Sequence, residues 1–424
     1  MYKFYSQALS YSLALFAFSL PLSKAALSIF LGCATLFFIL KKCWTPKNKK
    51  QSWISHTSLN KPILYFLVFC ILSLLWGNYF STHLRGIVKF IEGFLLLFII
   101  LDTFETPKAM APLLYALLLG GVVTSLNGIT QFYLGYGWWF IGGPSYGSRI
   151  ISTFKDPTML SAYLALILPL LFIFFKTKMN LWHKFMYAIG FSSILFAFYL
   201  SYSNNILFFL LSSAYVVFFL FNKKISTSLK VLSISCMLIL AIASFPKLKH
   251  NTSLLERLHL WKISIKMIQD APVLGHGLNS YSKINRAYFP PRPQDMPYAA
   301  TYLYLAYPHN SYLKLWIEIG LVGLLLYLFI YYCFFRYALR ITQMTEGKMR
   351  FNLSLYFLSI LTFLASTFFD TFLESTQSRI LFWLIMGLMM VELRETEQTI
   401  QSEKVLTVVP ETNVLQGPAD ALQT

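Results

Sequence analysis

Long apolar segments recur along this chain, and short polar stretches separate them. Each apolar segment is close to the length that a helix needs to cross the hydrocarbon core of a bilayer, about 20 residues. We predict twelve spans, near residues 7–22, 25–41, 62–77, 86–103, 110–133, 158–175, 185–202, 204–221, 229–246, 310–335, 351–371 and 379–393. Because helices satisfy their own backbone hydrogen bonds in lipid, the pattern predicts an all-α polytopic membrane protein.

The composition agrees with this pattern and excludes an ordinary soluble domain. The chain is 57% hydrophobic and 18% aromatic, and only 12% of its residues are charged. The five cysteines show neither a disulfide framework nor a zinc-ligand spacing. No metal site is predicted from them.

Lysine and arginine in four loops predict how the chain is oriented. These cations are Lys41, Lys42, Lys47, Lys49, Lys50 and Lys61, then Lys176, Lys178 and Lys184, then Lys223, Lys224 and Lys230, and finally Arg336, Arg340, Lys348 and Arg350. With twelve spans, all four loops fall on one side, which the positive-inside rule makes the cytoplasm. Both termini are then cytoplasmic, and we expect the polar tail 394–424 to be disordered.

Two longer loops remain on the outer side, at about 134–157 and 246–308. The second loop carries eight basic and three acidic residues. An outer loop this basic suggests an anionic ligand at the outer face, and contact with anionic lipid headgroups is the alternative. Nucleic acid is excluded as a partner because no basic domain stands apart from the spans.

The first candidate site residue is His309, where the polar outer loop turns into the apolar span 310–335. On a continuous helix, Gly320 and Gly323 lie on the same side as His309. Lys314 and Glu318 lie on the opposite side, four residues apart, and are expected to pair. Glycines let a second helix or a lipid chain approach closely. The alternative is a capping histidine above an ordinary helix-packing groove.

The second candidate is Arg257, within a predicted amphipathic helix at the start of the 246–308 loop. Its apolar stripe is Leu254, Leu258, Trp261, Ile265 and Ile268, and its polar face is His259, Lys262 and Lys266. Such a helix suits the membrane surface. Arg257 lies at the edge of the stripe, where a guanidinium can hold a phosphate through two hydrogen bonds. The alternative is an arginine that reaches out to lipid headgroups.

Two further candidates lie in the other outer segments. Arg149 follows a glycine-rich turn just before the span at 158–175. Asp370, Glu374 and Arg379 lie near the ends of the last two spans, either as partners of site residues or as solvated caps. The sequence shows no paired metal-ligand spacing, no Ser/His/Asp signature and no phosphate-binding loop. An enzymatic reaction would therefore use neither metal nor cofactor.

These motifs resemble those of a known family. His309 and Asn310, nine residues, Gly320, two residues and Gly323 are similar to the signature of the O-antigen ligases, within the O-antigen ligase/polymerase superfamily. The stretch that begins at Arg149 resembles the superfamily's R-x-x-x-T-F-x-N-P-N segment.

That stretch departs from the family pattern at two positions. Asp156 and Thr158 stand where the family has asparagines. A third stretch, from Glu256 through Gly277, resembles the segment that opens the large periplasmic loop. The resemblance covers roughly residues 10–393.

The resemblance implies a GT-C-type glycosyltransferase of the bacterial inner membrane, with residues 1–393 as its transmembrane O-antigen ligase-like domain and residues 246–308 as a large periplasmic loop. Such enzymes move a glycan from undecaprenyl pyrophosphate to the lipid A-core oligosaccharide of lipopolysaccharide at the periplasmic face. Direct attack on the anomeric carbon implies inversion. Membrane lipids are the other partners.

The resemblance also implies roles for single residues. His309 activates the acceptor hydroxyl or steadies the leaving group. Arg257 and Arg149 hold the donor pyrophosphate. Asp370 matches an acidic residue of the last outer loop. Supporting roles fall to Asn310, Gly320 and Gly323.

Three other functions remain open at this stage. An O-antigen polymerase uses the same donor and extends another lipid-linked chain. A protein O-oligosaccharyltransferase shares the core and usually carries a further C-terminal region. A lipid-linked glycan transporter is of a different class and would be expected to place ionisable residues mid-bilayer.

Overall fold

The computed structural model describes residues 1–45, 53–138, 148–175, 179–229, 231–232, 235, 252–289 and 307–408. These residues form thirteen α-helices. They are α1 (Tyr2–Ser19), α2 (Lys24–Cys43), α3 (Asn60–Leu72), α4 (Phe80–Thr103), α5 (Pro107–Leu134), α6 (Pro157–Leu171), α7 (Leu181–Leu200), α8 (Asn204–Phe221), α9 (Thr252–Asp270), α10 (Tyr281–Ile284), α11 (Ser311–Met344), α12 (Gly347–Ser366) and α13 (Thr376–Val408).

The predicted spans coincide with helices at eleven of their twelve positions. The ninth predicted span, 229–246, lies mostly outside the described residues. Eight of the helices are long and apolar enough to cross a membrane, namely α2, α5, α6 with its 3-10 extension, α7, α8, α11, α12 and α13. A polytopic helical membrane protein is therefore confirmed, whereas the count of twelve spans and the GT-C class stay predictions.

Several helices begin at side chains that cap their first turn. Ser23, Thr106, Asp156, Asn180 and Asn310 each accept a hydrogen bond from a backbone N–H two or three residues further on. Such caps satisfy backbone donors that the first turn of a helix leaves unpaired. Two of these capping residues, Asp156 and Asn310, also lie in the candidate site.

The helix α13 lies at the centre of the bundle. Its most apolar stretch is 94% buried, whereas the corresponding stretches of α2, α7 and α8 are only 22–28% buried. Trp383 is fully buried, and a Cβ atom at Gly93 of α4 would lie 2.3 Å from its ring. Glycine at this position therefore lets α4 and α13 pack closely. The outer faces of α2, α7 and α8 are left for lipid.

The tail differs from the sequence prediction. Residues 394–408 continue α13 as a helix, so the expectation of disorder is wrong for them. Arg394 donates to Leu101 O at 2.9 Å, at the C-terminal end of α4, and Glu397 accepts from Arg340 at 2.7 Å. These contacts give the polar segment partners on the bundle. Residues 409–424 lie outside the described part of the chain.

The amphipathic helix α9 is present, and its buried face overlaps the predicted apolar stripe only in part: Leu254 and Ile268 are buried. Ile265 is 49% exposed, whereas Leu260, Ile263 and Met267 are buried. The buried side packs against Ile317 of α11. Contact with α11, rather than with the membrane surface, thus determines which residues of α9 are buried. The prediction is wrong for Ile265.

Candidate functional site

His309 lies in a strained turn at the outer end of α11. Its φ of 48° is in the left-handed region, which non-glycine residues seldom adopt. The next residue, Asn310, caps α11, and its side-chain oxygen accepts from the N–H groups of Tyr312 and Leu313, each at 2.9 Å. The Ser311 N–H donates to Thr367 O at 2.9 Å. These bonds hold the turn in which His309 lies.

The carboxylate of Asp370 contacts the His309 ring. His309 Nδ1 lies 3.3 Å from Asp370 Oδ1, and the Thr371 N–H donates to the same oxygen at 2.8 Å. Burial would raise the pKa of Asp370, but the hydrogen bond and charge of His309, with the charge of Arg257, lower it overall. Asp370 is therefore an ionised partner for the histidine at neutral pH.

Arg257 lies in the same site, on α9. It is half-buried, and its positive charge acts on the Asp370 carboxylate. The ring of Trp261, one turn further along α9, lies 5.7 Å from the ring of Phe369, which precedes Asp370. The structure thus brings together His309, Arg257 and Asp370, which are far apart in sequence.

Arg149 reaches the site through Asp156. Its Nε donates to Ser201 O at 2.8 Å, and burial lowers its pKa while the charge of Asp156 partly opposes this. Asp156 caps α6 through a 2.9 Å bond from the Met159 N–H. Burial raises the pKa of Asp156, and the negative charge of Asp370 raises it further. Asp156 is therefore within electrostatic reach of both Arg149 and Asp370. The glycine-rich turn before Arg149 falls in residues 139–147, outside the described chain.

A second cluster of charges lies just below, around Lys314. As predicted, Lys314 pairs with Glu318, at 3.1 Å, and it also bonds Glu374. Lys89 of α4 lies 2.9 Å from Glu374 and 3.1 Å from the side-chain oxygen of Asn279. Burial would raise the pKa of Glu374, but the two lysines lower it to about 2. Glu374 therefore has specific partners and is not a solvated cap.

The same cluster extends to Arg379 and Glu92. Arg379 is almost fully buried, lies 3.2 Å from Glu92, and donates to Leu373 O at 3.2 Å. Lys89 and Glu92 were not singled out from the sequence. Both lie inside the predicted span 86–103, and ionisable residues in a span are a recognised signal of function. That signal would have identified them.

The two glycines of the motif lie against protein atoms from two different parts of the chain. Gly320 has a φ of 65°, and α11 is broken there. A Cβ atom at Gly320 would lie 2.1 Å from Val273 O, and one at Gly323 would lie 2.6 Å from Ile319 side-chain atoms. At Gly320, a segment of the outer loop thus makes the close approach that was expected of a second helix or a lipid chain. The sequence prediction assumed a continuous helix, whereas α11 is broken at Gly320.

This arrangement offers proton transfer beside a cationic group. Imidazole titrates near neutral pH, and a carboxylate hydrogen-bonded to Nδ1 orients it as a base. The guanidinium of Arg257 can hold an anionic ligand. Among the described residues, no group of three or more His, Cys, Asp or Glu side chains could hold a metal ion.

Two comparisons with known proteins bear on this site. Residues 158–328 match the family model described as O-Antigen ligase, about two-fifths of the chain. The match includes Arg257, His309 and both motif glycines, and it confirms the resemblance inferred from the motifs. The chain is also 32% identical over 82 residues to an uncharacterised protein of Haemophilus influenzae strain Rd. That similarity spans 19% of this chain and 20% of the other protein.

Proposed function

We propose that this chain, a member of the O-antigen ligase family over residues 158–328, is a glycosyltransferase of the bacterial inner membrane. It transfers O-antigen glycan from undecaprenyl pyrophosphate to the lipid A-core oligosaccharide. The observation that carries the proposal is the contact of His309 with Asp370. The positive charge of Arg257 acts on the same carboxylate and lowers its pKa.

His309 acts as the general base. A hydrogen bond from Nδ1 to Asp370 keeps the proton on that nitrogen, so Nε2 is the basic nitrogen of the ring. It removes the proton of the acceptor hydroxyl as the oxygen attacks. Asp370 stabilises the imidazolium that results. Positioned general bases of this kind contribute typically 100- to 10,000-fold to a rate.

The arginines act on the donor. Arg257 holds the pyrophosphate, and Arg149 supports it from the side of Asp156. The bond between the acceptor oxygen and the anomeric carbon forms while the bond from that carbon to the phosphate oxygen breaks. The electron pair of the broken bond stays on the pyrophosphate, whose developing charge the guanidinium offsets. A single displacement inverts the anomeric centre and needs neither metal nor cofactor.

The membrane orientation follows from the lysine-rich loops. With the loops after α2 and α8 in the cytoplasm, both termini are cytoplasmic and the outer end of α11 faces the periplasm. His309 is then on the side where lipid-linked glycans are used. An O-antigen polymerase would use the same donor and the same geometry, and it would differ in its acceptor.

Genetic complementation tests whether the protein transfers glycan to the lipid A-core, as a ligase does, rather than to another lipid-linked chain. Wild type, His309→Ala and His183→Ala are expressed in an O-antigen-producing strain that lacks its ligase, and lipopolysaccharide is run on a gel. His183 is the control, since it lies on the exposed first turn of α7. We expect a capped ladder with wild type and His183→Ala, and its loss with His309→Ala as undecaprenyl-linked polymer accumulates.

An assay with purified components avoids the need for the protein to accept the lipid A-core of a foreign strain. The detergent-solubilised protein is mixed with undecaprenyl-pyrophosphate-linked glycan and with lipid A-core from the same organism. Glycan on the lipid A-core supports a ligase. Longer lipid-linked chains, with no product on the core, would instead assign a polymerase. Full transfer by His309→Ala would overturn the mechanism.

A further inference from the structure

The break in α11 at Gly320 is filled by backbone from another part of the chain. In a regular helix, the N–H groups of Leu321 and Val322 would bond carbonyls four residues earlier. Here Leu321 donates to Pro272 O at 2.9 Å, and Val322 donates to Val273 O at 3.3 Å. Residues 272–277, which we name the insert, therefore supply the hydrogen-bond partners that the preceding turn of α11 would otherwise supply.

The carbonyls on the other side of the break are satisfied in the same way. Ile317 O accepts from the N–H of His276 at 2.9 Å, and Glu318 O accepts from the N–H of Gly277 at 2.8 Å. The Trp316 indole adds a bond to Pro272 O at 2.9 Å. Two helical hydrogen bonds are thus replaced by four backbone bonds between distant segments. The two N–H groups and two carbonyls that the break releases therefore each keep a backbone partner.

Two glycines make this exchange possible. Gly320 and Gly275 have φ values of 65° and 72°, in the region that favours glycine. A Cβ atom at Gly320 would lie 2.1 Å from Val273 O, and a Cβ atom at Gly275 would lie 2.4 Å from the Gly320 nitrogen. Any side chain at either position would push the two backbones apart.

The insert is also tied to α3 and α4. The indole of Trp76, just beyond α3, donates to Leu274 O at 3.1 Å. Just past the insert, the Leu278 N–H donates to His83 Nε2 at 3.3 Å, and the Asn279 side chain donates to Thr82 O at 3.2 Å. The insert is therefore held on both sides and cannot shift along α11 without losing these bonds.

The insert directly follows α9, which carries Arg257, and it docks into α11, which begins next to His309. We propose that Gly320 and Gly275 are positioning residues that fix Arg257, and hence the donor pyrophosphate, relative to His309. This inference rests on the proposed function for its chemistry. Neither glycine touches the substrate, and each acts by letting the insert seat in α11. Displacement of a bound reactant by about 1 Å can cost on the order of 100-fold in rate.

The test measures position and transfer on the same full-length variants. Spin labels are placed at Lys262→Cys on α9 and Leu325→Cys on α11, both exposed positions, with the native cysteines replaced by serine. Gly320→Ala and Gly275→Ala are compared with Gly347→Ala. Gly347 is a matched control because its φ is also positive, at 60°, and a Cβ atom there meets nothing within 4 Å. All are assayed as monodisperse protein.

We expect Gly320→Ala and Gly275→Ala to broaden or shift the distance distribution between the labels and to lower transfer per folded protein at least tenfold. Gly347→Ala should leave both within about twofold of the parent. An unchanged distance in Gly320→Ala would overturn the inference, whatever the activity. A changed distance with full transfer would overturn it as well.

Failure of the proposed function gives a different result. If the spin-labelled protein without glycine substitutions showed no transferase activity, the proposed function would be refuted. The proposed effect of the insert on transfer would then be refuted with it. The distance measurement would still decide whether the two glycines hold α9 to α11. Gly275→Ala serves as the second variant if Gly320→Ala does not yield folded protein.

Discussion

His309 Nδ1 lies 3.3 Å from Asp370 Oδ1, although 61 residues separate the two in sequence. The contact pairs the imidazole ring with a carboxylate whose pKa is lowered by that same ring and by Arg257. A neutral amide at position 370 would remove the charge that stabilises the protonated ring. It would also stop selecting the tautomer with a basic Nε2.

Asp370→Asn is therefore expected to lower the transfer rate by roughly 100-fold or more while the protein stays folded. The rate is measured per mole of purified protein with saturating donor. Glu105→Gln, at an exposed carboxylate before α5, is the control and should keep the parental rate. Retention of the parental rate by Asp370→Asn would exclude a catalytic link between the two residues.

Arg257→Lys separates charge from geometry at the donor site. Lysine keeps the positive charge but lacks the planar fork that holds two phosphate oxygens. We expect transfer to fall about tenfold in Arg257→Lys and further in Arg257→Ala, with weaker donor binding in both. Lys262→Ala, at an exposed position of the same helix, is the control. Equal activity of Arg257→Lys and wild type would leave only a charge requirement.

The partly buried carboxylate of Glu374 gives a prediction about stability and pH. Lys314 and Lys89 lower its pKa from 4.5 to about 2. A lowered carboxylate pKa contributes stability that is present above pH 4.5 and is lost as the pH falls toward 2. We expect Glu374→Gln to destabilise the protein at neutral pH by about 3 kcal/mol, because it removes the carboxylate that Lys89 contacts and leaves Lys314 with Glu318 alone.

Thermal unfolding in detergent at several pH values checks this. The difference between wild type and Glu374→Gln should shrink between pH 4.5 and 2. Glu346→Gln is the control, since Glu346 pairs with Lys223 at the exposed surface and should change little. A difference that stays constant with pH would show that the charge of Glu374 is not the cause.

Arg394 gives a prediction about the helical tail. Its guanidinium bonds Leu101 O and Phe104 O, which are among the last carbonyls of α4 and its cap. Arg394→Ala should destabilise the protein by roughly 1–3 kcal/mol, because hydrogen bonds from a charged donor to these carbonyls are lost. Gln398→Ala, on the exposed side of the same helix, should have no effect on the melting temperature. Equal melting of both variants would contradict this role.

The sequence predicts most of the helices because each span must be apolar along its length, and it predicts the Lys314–Glu318 pair because four residues make about one turn. It could not predict the break at Gly320. Periodicity assumes that a helix bonds to itself, and here the bonding partner is the insert, more than 40 residues earlier. For the same reason, the partner of His309 could be suggested only by resemblance.

The burial of Ile265 was predicted wrongly for a related reason. An apolar stripe indicates that one face of a helix is buried, but more than one face of α9 carries apolar residues. Contact with Ile317 of α11 covers the face with Ile263 and Met267. Which of two similar faces is covered depends on a neighbour that the local pattern does not contain.

The central place of α13 has a consequence for how the protein is made. In the sequence, α13 follows α4 and α12, the two helices that it packs against most closely, so it is synthesised after them. Until it arrives, Gly93 and the faces around it have no Trp383 to pack against. The earlier helices must therefore leave a space in the membrane into which α13 packs after they have been synthesised. The final assembly of the protein thus waits for the end of translation of α13.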